Sequence, residues 1–122
     1  NRKALGGGMR QSGILAAAGI VALNEMPKKI INDHKNASNL AKGLNAISGI
    51  SIDLEKVKTN IIYFKLDHSK IDSVTLINSM LKKNIKFFEL GPSWFRLVTH
   101  AGINEEDIEH VLIQFKDLFS KI

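Results

Sequence analysis

The segment that most constrains the fold is an apolar run near the start of the chain. Apolar residues dominate positions 14–26 and occur on all sides of a helix drawn through them. A helix of this kind is normally buried all round, so we expect neighbours to cover it. Its most apolar part, residues 13–23, is too short to span a bilayer, which takes about 20 residues. The run therefore predicts an interior helix and no membrane partner.

The start of the chain and its composition suggest a larger protein. The chain begins with Asn1 and enters a glycine-rich loop within a few residues. With 122 residues it hardly supplies the neighbours that the apolar helix needs, so we expect a missing N-terminal portion. The chain is 44% hydrophobic and 24% charged, which is typical of a globular protein, and the absence of cysteine fits a reducing, cytoplasmic compartment. A net charge of +5 alone does not indicate nucleic acid, because it can equally reflect a solvated surface or a few cations that bind small anionic ligands.

The order of predicted elements indicates an α+β fold. Ser12 is predicted to cap the first helix, and Pro27 to open a second that ends near residue 47. The later predicted elements are strands 50–54 and 60–66, helix 72–83, strands 85–90 and 94–100, and a last helix capped by Asn104. We therefore expect two leading helices and then a ββαββα small domain with an at least partly antiparallel sheet and helices on one face. The predicted boundary separates a glycine loop and helical arm, residues 1–47, from the small domain, residues 48–122.

The glycine loop is the first candidate for binding. Gly6, Gly7 and Gly8 precede Arg10 and the first helix, and Lys3 lies just upstream. Glycines let backbone N–H groups approach an anion, a helix start adds partial positive charge, and Arg10 adds a full one. The loop matches neither the P-loop nor the dinucleotide fingerprint. From the residues alone, an anion site and a flexible turn before a buried helix both stay open.

Arg96 is the second candidate, because it is a charge in the middle of a predicted strand with apolar neighbours. Alternation places Phe95, Leu97 and Thr99 on one face and Trp94, Arg96 and Val98 on the other. An arginine there can clamp a carboxylate through two parallel hydrogen bonds. The residues alone favour a salt bridge with an acid elsewhere or a solvated outer face.

The four histidines do not suggest a metal site. No two of them have the spacing of a zinc-binding pair on one helix. His34 lies on the apolar face of its helix and is predicted to be a satisfied core histidine. His68 and His110 are predicted to be exposed, and His100 is interpreted as a structural residue at a loop.

The chain resembles a known family in several motifs that occur in the family's order. The longest is residues 2–19, RKALGGGMRQSGILAAAG, and the others are Asp33-His34, residues 58–60 (KTN) and residues 96–100 (RLVTH). Together they closely resemble low-specificity L-threonine aldolases along nearly the whole chain.

This resemblance implies a specific activity. The family has the aspartate-aminotransferase-like fold (fold type I), binds pyridoxal 5'-phosphate, and cleaves L-threonine and L-allo-threonine to glycine and acetaldehyde. By resemblance, Arg96 grips the substrate carboxylate, and Arg10 and Lys3 bind the cofactor phosphate of a neighbouring subunit. Family members are usually homotetramers built as dimers of dimers.

The resemblance also implies that the active site is incomplete here. The family's Schiff-base lysine lies upstream, so we assign no catalytic residue in this chain and expect the isolated segment to be inactive. A non-catalytic module that uses the glycine loop for phosphate binding or oligomerisation is the alternative, and a nucleic-acid binder is a weaker one.

Overall fold

The computed structural model describes residues 1–67 and 71–122. The helices in this part of the chain are α1 (Ser12–Asn24), α2 (Pro27–Asn45), a short 3-10 helix (Leu54–Lys56), α3 (Ser73–Leu81) and α4 (Glu105–Phe119). The strands are β1 (Ile50–Ser51), β2 (Ile61–Leu66), β3 (Phe88–Gly91) and β4 (Trp94–Val98). The chain divides into two compact units, Asn1–Ile30 and Ile31–Ile122. The domain boundary after residue 47 stays a prediction.

The α+β class is confirmed, and the sheet is antiparallel throughout. Its four strands lie in the order β1-β2-β4-β3, and each neighbouring pair is antiparallel. Alternation in β4 buries Phe95, Leu97 and, just beyond its end, Thr99, as predicted from the sequence. The opposite face of β4 carries Trp94 and Arg96.

One core cluster joins the inner face of the sheet to helices α2, α3 and α4. Its centre is aromatic, with the Phe64 and Phe95 rings stacked at 4.8 Å and the Phe115 ring edge-on to Phe64 at 6.0 Å. The apolar faces of the helices contribute residues such as Leu44 and Leu76, both completely buried. The helices therefore cover one face of the sheet, as expected from the element order, and the other face is left open.

Strands β1 and β3 differ from their predicted bounds because local hydrogen bonds compete with the strand pattern. Strand β4 also ends at Val98, two residues before its predicted end. The Asp53 carboxylate accepts a hydrogen bond from the Glu55 N–H, which starts the 3-10 helix and leaves β1 only two residues long. Asn84 adopts the left-handed conformation (φ 61°), and the Ile85 N–H bonds back to the Met80 carbonyl. Ile85 therefore belongs to the end of α3, in the manner of a helix C-terminal motif, and β3 begins only at Phe88.

The helix starts are partly as predicted. Asn104 caps α4 in a reciprocal capping box with Asp107, and Pro27 is the first residue of α2. The prediction for Ser12 is wrong, because Ser12 is the first helical residue of α1. The residue before it, Gln11, has a left-handed backbone (φ 52°), and its side chain makes no capping hydrogen bond.

Within this chain, α1 is not covered. None of its residues is buried, and Ile14 and Leu23 are 73% and 77% exposed. A helix buried all round needs a layer on every side, whereas the Asn1–Ile30 unit consists of this helix, turns and the start of α2. That neighbours outside these residues cover α1 stays a prediction. Within residues 1–67 and 71–122, no helix combines the length and hydropathy that crossing a membrane requires.

Candidate functional site

Arg96 lies on the open face of the sheet, in a row of side chains that crosses three strands. In the register of the sheet, Arg96 on β4 is opposite Tyr63 on β2 and opposite Phe88 on β3. Trp94 and Val98, on the same face of β4, are about half exposed. The site is therefore a cation beside accessible aromatic and aliphatic groups. The same face also carries Lys65 of β2, which lies opposite Trp94 and forms an ion pair with Asp67.

No acid neutralises Arg96 in the described part of the chain, where the recorded ion pairs all belong to lysines. Its Nε atom is buried without a hydrogen-bond partner, and its Cζ atom lies 5.6 Å from the centre of the Phe88 ring, within cation–π range. Of the interpretations that the sequence left open, the salt bridge is therefore not found. An unpaired guanidinium on an open face is free to bind an anion.

A β-bulge decides which side chain faces Arg96 from β3. The strands meet at the turn with Gly91 opposite Trp94, and regular pairing from there would place Glu89 opposite Arg96. The register instead shifts between Glu89 and Gly91, so that Glu89 pairs with Phe95 and Phe88 pairs with Arg96. The bulge thus gives the arginine an aromatic neighbour in place of an acidic one.

Buried hydrogen bonds hold the end of β4, three residues beyond Arg96. The Thr99 hydroxyl donates to the Asp33 carbonyl on α2 at 2.7 Å. The Thr99 N–H donates to the Asn60 carbonyl at 2.9 Å, and the Asn60 side-chain amide donates to the Thr99 carbonyl at 2.7 Å. Three of the motifs that carry the family resemblance therefore meet at one residue that is 2% exposed.

The structure places each histidine within the described residues outside a metal site. His100 has the predicted structural role, because its Nδ1 accepts a hydrogen bond from the Gly102 N–H at 3.1 Å. His110 is exposed, as predicted, with its Nε2 3.2 Å from the Lys83 carbonyl oxygen. The core prediction for His34 is wrong: His34 is exposed, because the buried face of α2 begins only at Asn36. His68 lies outside the described residues, and the described residues contain no cluster of potential metal ligands.

The glycine loop folds on itself through its own backbone. The Gly6 N–H bonds to the Lys3 carbonyl at 3.1 Å and the Gly7 N–H to the Arg2 carbonyl at 2.8 Å, so these two N–H groups are not available to an anion. Gly6 has a φ of 83°, and a Cβ on Gly7 would lie 2.8 Å from the Arg2 Cγ, which explains the glycines structurally. Any anion binding by this loop therefore depends mainly on its cations.

Those cations have no acidic neighbour in sequence. No Asp or Glu occurs before Glu25, and no ion pair of Lys3 or Arg10 is recorded among the described residues. Both side chains are exposed. The loop of the Asn1–Ile30 unit is thus a positively charged segment suited to a phosphate group.

The sequence missed the two aromatic neighbours of Arg96. Alternation along β2 was a usable signal for Tyr63, since its neighbours Ile62 and Phe64 are buried on the opposite face. No such signal existed for Phe88, because its position depends on the bulge.

Solved structures with this architecture are fold-type-I pyridoxal phosphate enzymes. A complex of the cystine C-S lyase C-DES with its product cysteine persulfide matches with a TM-score of 0.69 at 18% identity, over 87% of this chain and 28% of that one. MppP soaked with the product 2-ketoarginine matches with a TM-score of 0.62 at 9% identity, over 81% of this chain and 30% of that one. At such identities the match shows the fold alone, and it confirms the fold expected from the resemblance.

The sequence comparisons then identify the family. Residues 1–67 match the model of the beta-eliminating lyase family, and the chain belongs to that family. A probable low-specificity L-threonine aldolase 2 of Arabidopsis thaliana is 39% identical over 97% of this chain and 34% of its own length. The low specificity L-threonine aldolase of Escherichia coli K12 is 31% identical over 98% of this chain and 34% of its own length. The chain thus spans about a third of the length of these curated relatives.

Proposed function

We propose that this chain is the C-terminal part of a pyridoxal phosphate-dependent aldolase that cleaves L-threonine and L-allo-threonine to glycine and acetaldehyde. The observation that carries the proposal is Arg96, an unpaired cation on the open face of the sheet, in a chain similar over almost all its length to low-specificity L-threonine aldolases. In this proposal, the Schiff-base lysine and the remainder of the site lie in an N-terminal portion, and the complete enzyme is a cytoplasmic homotetramer.

Arg96 is proposed to bind the α-carboxylate of the amino acid. A planar guanidinium forms two parallel hydrogen bonds with a carboxylate, and this fixes the orientation of the substrate as well as its position. The cleaved bond is adjacent to that carboxylate, so its alignment depends on how firmly the carboxylate is held. The short hydrogen bonds of Thr99 to α2 and to Asn60 support the strand that carries Arg96.

Arg10 and Lys3 are proposed to bind the cofactor phosphate, reaching the site of a neighbouring subunit. Both belong to a loop without acidic residues, so their charges are available to a phosphate, and the residues present fit that group. When bound, pyridoxal phosphate supplies the electron sink for the negative charge left on the substrate when its Cα–Cβ bond breaks.

The test uses the full-length protein with its cofactor. Arg96→Lys should lower kcat/KM for L-threonine roughly tenfold to a hundredfold. A point charge then replaces the planar guanidinium, and a charged hydrogen bond to the carboxylate, which contributes about 1.5–3 kcal/mol, is lost. Lys116→Arg, a cation exchange on an exposed residue of α4, on the helix-covered side of the sheet, should leave kcat/KM unchanged. Arg10→Ala should lose cofactor on dialysis faster than the wild type. Unchanged kinetics of Arg96→Lys would contradict the carboxylate role.

The alternative, a non-catalytic module for phosphate binding or oligomerisation, draws on the exposed cations of the glycine loop and the exposed apolar surface of α1. The same experiment separates the two functions. A module should bind phosphate through Arg10 while the wild-type full-length protein cleaves neither amino acid.

A further inference from the structure

We propose that Phe88 is the positioning residue that orients the Arg96 guanidinium, so that a carboxylate is bound through the two terminal Nη groups and not through Nε. This inference rests on the proposed function of Arg96 and deepens it. It names the residue that sets the orientation of the Arg96 guanidinium and the edge of that group that the ligand contacts.

The position of Phe88 points to a role outside the core. Phe88 is 66% exposed, so burial does not account for an aromatic residue there. The bulge between Glu89 and Gly91 brings Phe88 opposite Arg96, and the ring then lies 5.6 Å from the guanidinium carbon. A cation at this distance from an aromatic ring is attracted to its face.

The burial of Nε determines which edge of the guanidinium is available. A carboxylate can approach a guanidinium along the edge formed by Nε and one Nη, or along the edge formed by both Nη groups. The Arg96 Nε is buried and has no hydrogen-bond partner, so the first edge is closed to a ligand. With Nε closed and the Phe88 ring beside the guanidinium, the edge left for a carboxylate is the one formed by the two Nη groups.

This arrangement predicts how removing the ring affects binding. Without Phe88, the guanidinium rotates more freely and is more hydrated, and both effects weaken a two-point contact with a carboxylate. Ligands that lack a carboxylate should be indifferent to the change. The ratio of affinities for glycine and glycinamide isolates this effect, because the two compounds differ only in the carboxylate and its amide.

The experiment measures glycine and glycinamide binding to the full-length, cofactor-loaded protein by calorimetry, together with KM and kcat for L-threonine. Phe88→Leu should reduce the preference for glycine over glycinamide by about two- to fivefold, the range of an exposed cation–π contact. KM for threonine should rise by a similar factor, with a smaller change in kcat. Phe88→Tyr keeps an aromatic face and should restore both values. Ile113→Ala, which truncates an exposed apolar side chain on α4, should match the wild type.

The outcomes separate this inference from the function on which it rests. If the preference for glycine over glycinamide drops in Arg96→Lys but stays unchanged in Phe88→Leu, the role of Phe88 is overturned and the role of Arg96 is kept. A loss in Phe88→Leu that Phe88→Tyr does not restore also overturns it, because the effect then does not depend on the aromatic ring. A wild-type protein with no preference for glycine over glycinamide overturns both proposals. The predicted loss and rescue, with unchanged thermal unfolding, support the role.

Discussion

Replacing Thr99 by Val tests whether the junction behind Arg96 stabilises the fold through its hydroxyl group. Thr99 is 2% exposed, and its hydroxyl donates a 2.7 Å hydrogen bond to the Asp33 carbonyl. Valine has nearly the same shape and keeps the backbone groups that bond to Asn60. The substitution therefore removes one neutral, buried hydrogen bond, and the free energy of unfolding should fall by about 0.5–1.5 kcal/mol.

Two further substitutions at this position divide the effect between the hydroxyl and the methyl group. Thr99→Ser keeps the hydroxyl and loses one buried methyl, which should cost about 0.8 kcal/mol. Thr99→Ala loses both groups and should cost about the sum of the two single effects. If Thr99→Ala costs no more than Thr99→Ser, the hydroxyl contributes nothing.

Urea denaturation of the chain measures these differences. Trp94 is the single tryptophan, lies on β4, which ends just before Thr99, and is about half exposed, so its fluorescence reports on unfolding of the sheet. Equal m-values would show that only stability has changed. A Thr99→Val variant as stable as the wild type would refute the argument that the bond to Asp33 stabilises the junction.

Two other predictions concern a helix contact and an ionised cap. A Cβ on Gly43 would lie 2.5 Å from a Leu112 methyl carbon. Gly43→Ala should therefore destabilise the chain by about 1 kcal/mol in urea denaturation, despite the better helix propensity of alanine. Adding Leu112→Ala to that variant should recover part of the lost stability. Hydrogen bonds from the Thr75 N–H and hydroxyl lower the pKa of Asp72. The ionised Asp72 carboxylate therefore stabilises the fold fully above the pKa of the unfolded chain, about 4. This stabilisation is lost as the pH falls through the lower pKa of the folded state. The urea midpoint of the wild type should therefore fall more steeply below about pH 4 than that of Asp72→Asn, and parallel curves would contradict this cause.

The sequence predicted those features of the fold that depend on local periodicity. The order of elements, the cap at Asn104, and the two faces of β4 all follow from patterns within a few residues. The predicted bounds failed where a hydrogen bond competes with the strand pattern, as with the Ile85 N–H and the Met80 carbonyl. The exposure of α1 in this chain has a different cause: an apolar pattern shows what a helix needs around it, but only the assembled layers show what covers it.

The candidate site also depends on a contact between strands that local sequence patterns do not determine. Alternation placed Arg96 on the outer face of its strand, but the choice between an ion pair and an unpaired cation depends on what lies across from it on β3. Regular pairing from the Gly91–Trp94 turn predicts Glu89, and with it a salt bridge, one of the two interpretations that the sequence favoured. The bulge shifts the register by one residue and substitutes Phe88, because a one-residue shift exchanges which side chain faces which. The anion-binding character of this face therefore originates in the backbone of β3, and no property of Arg96 or of its neighbours along β4 could have revealed it.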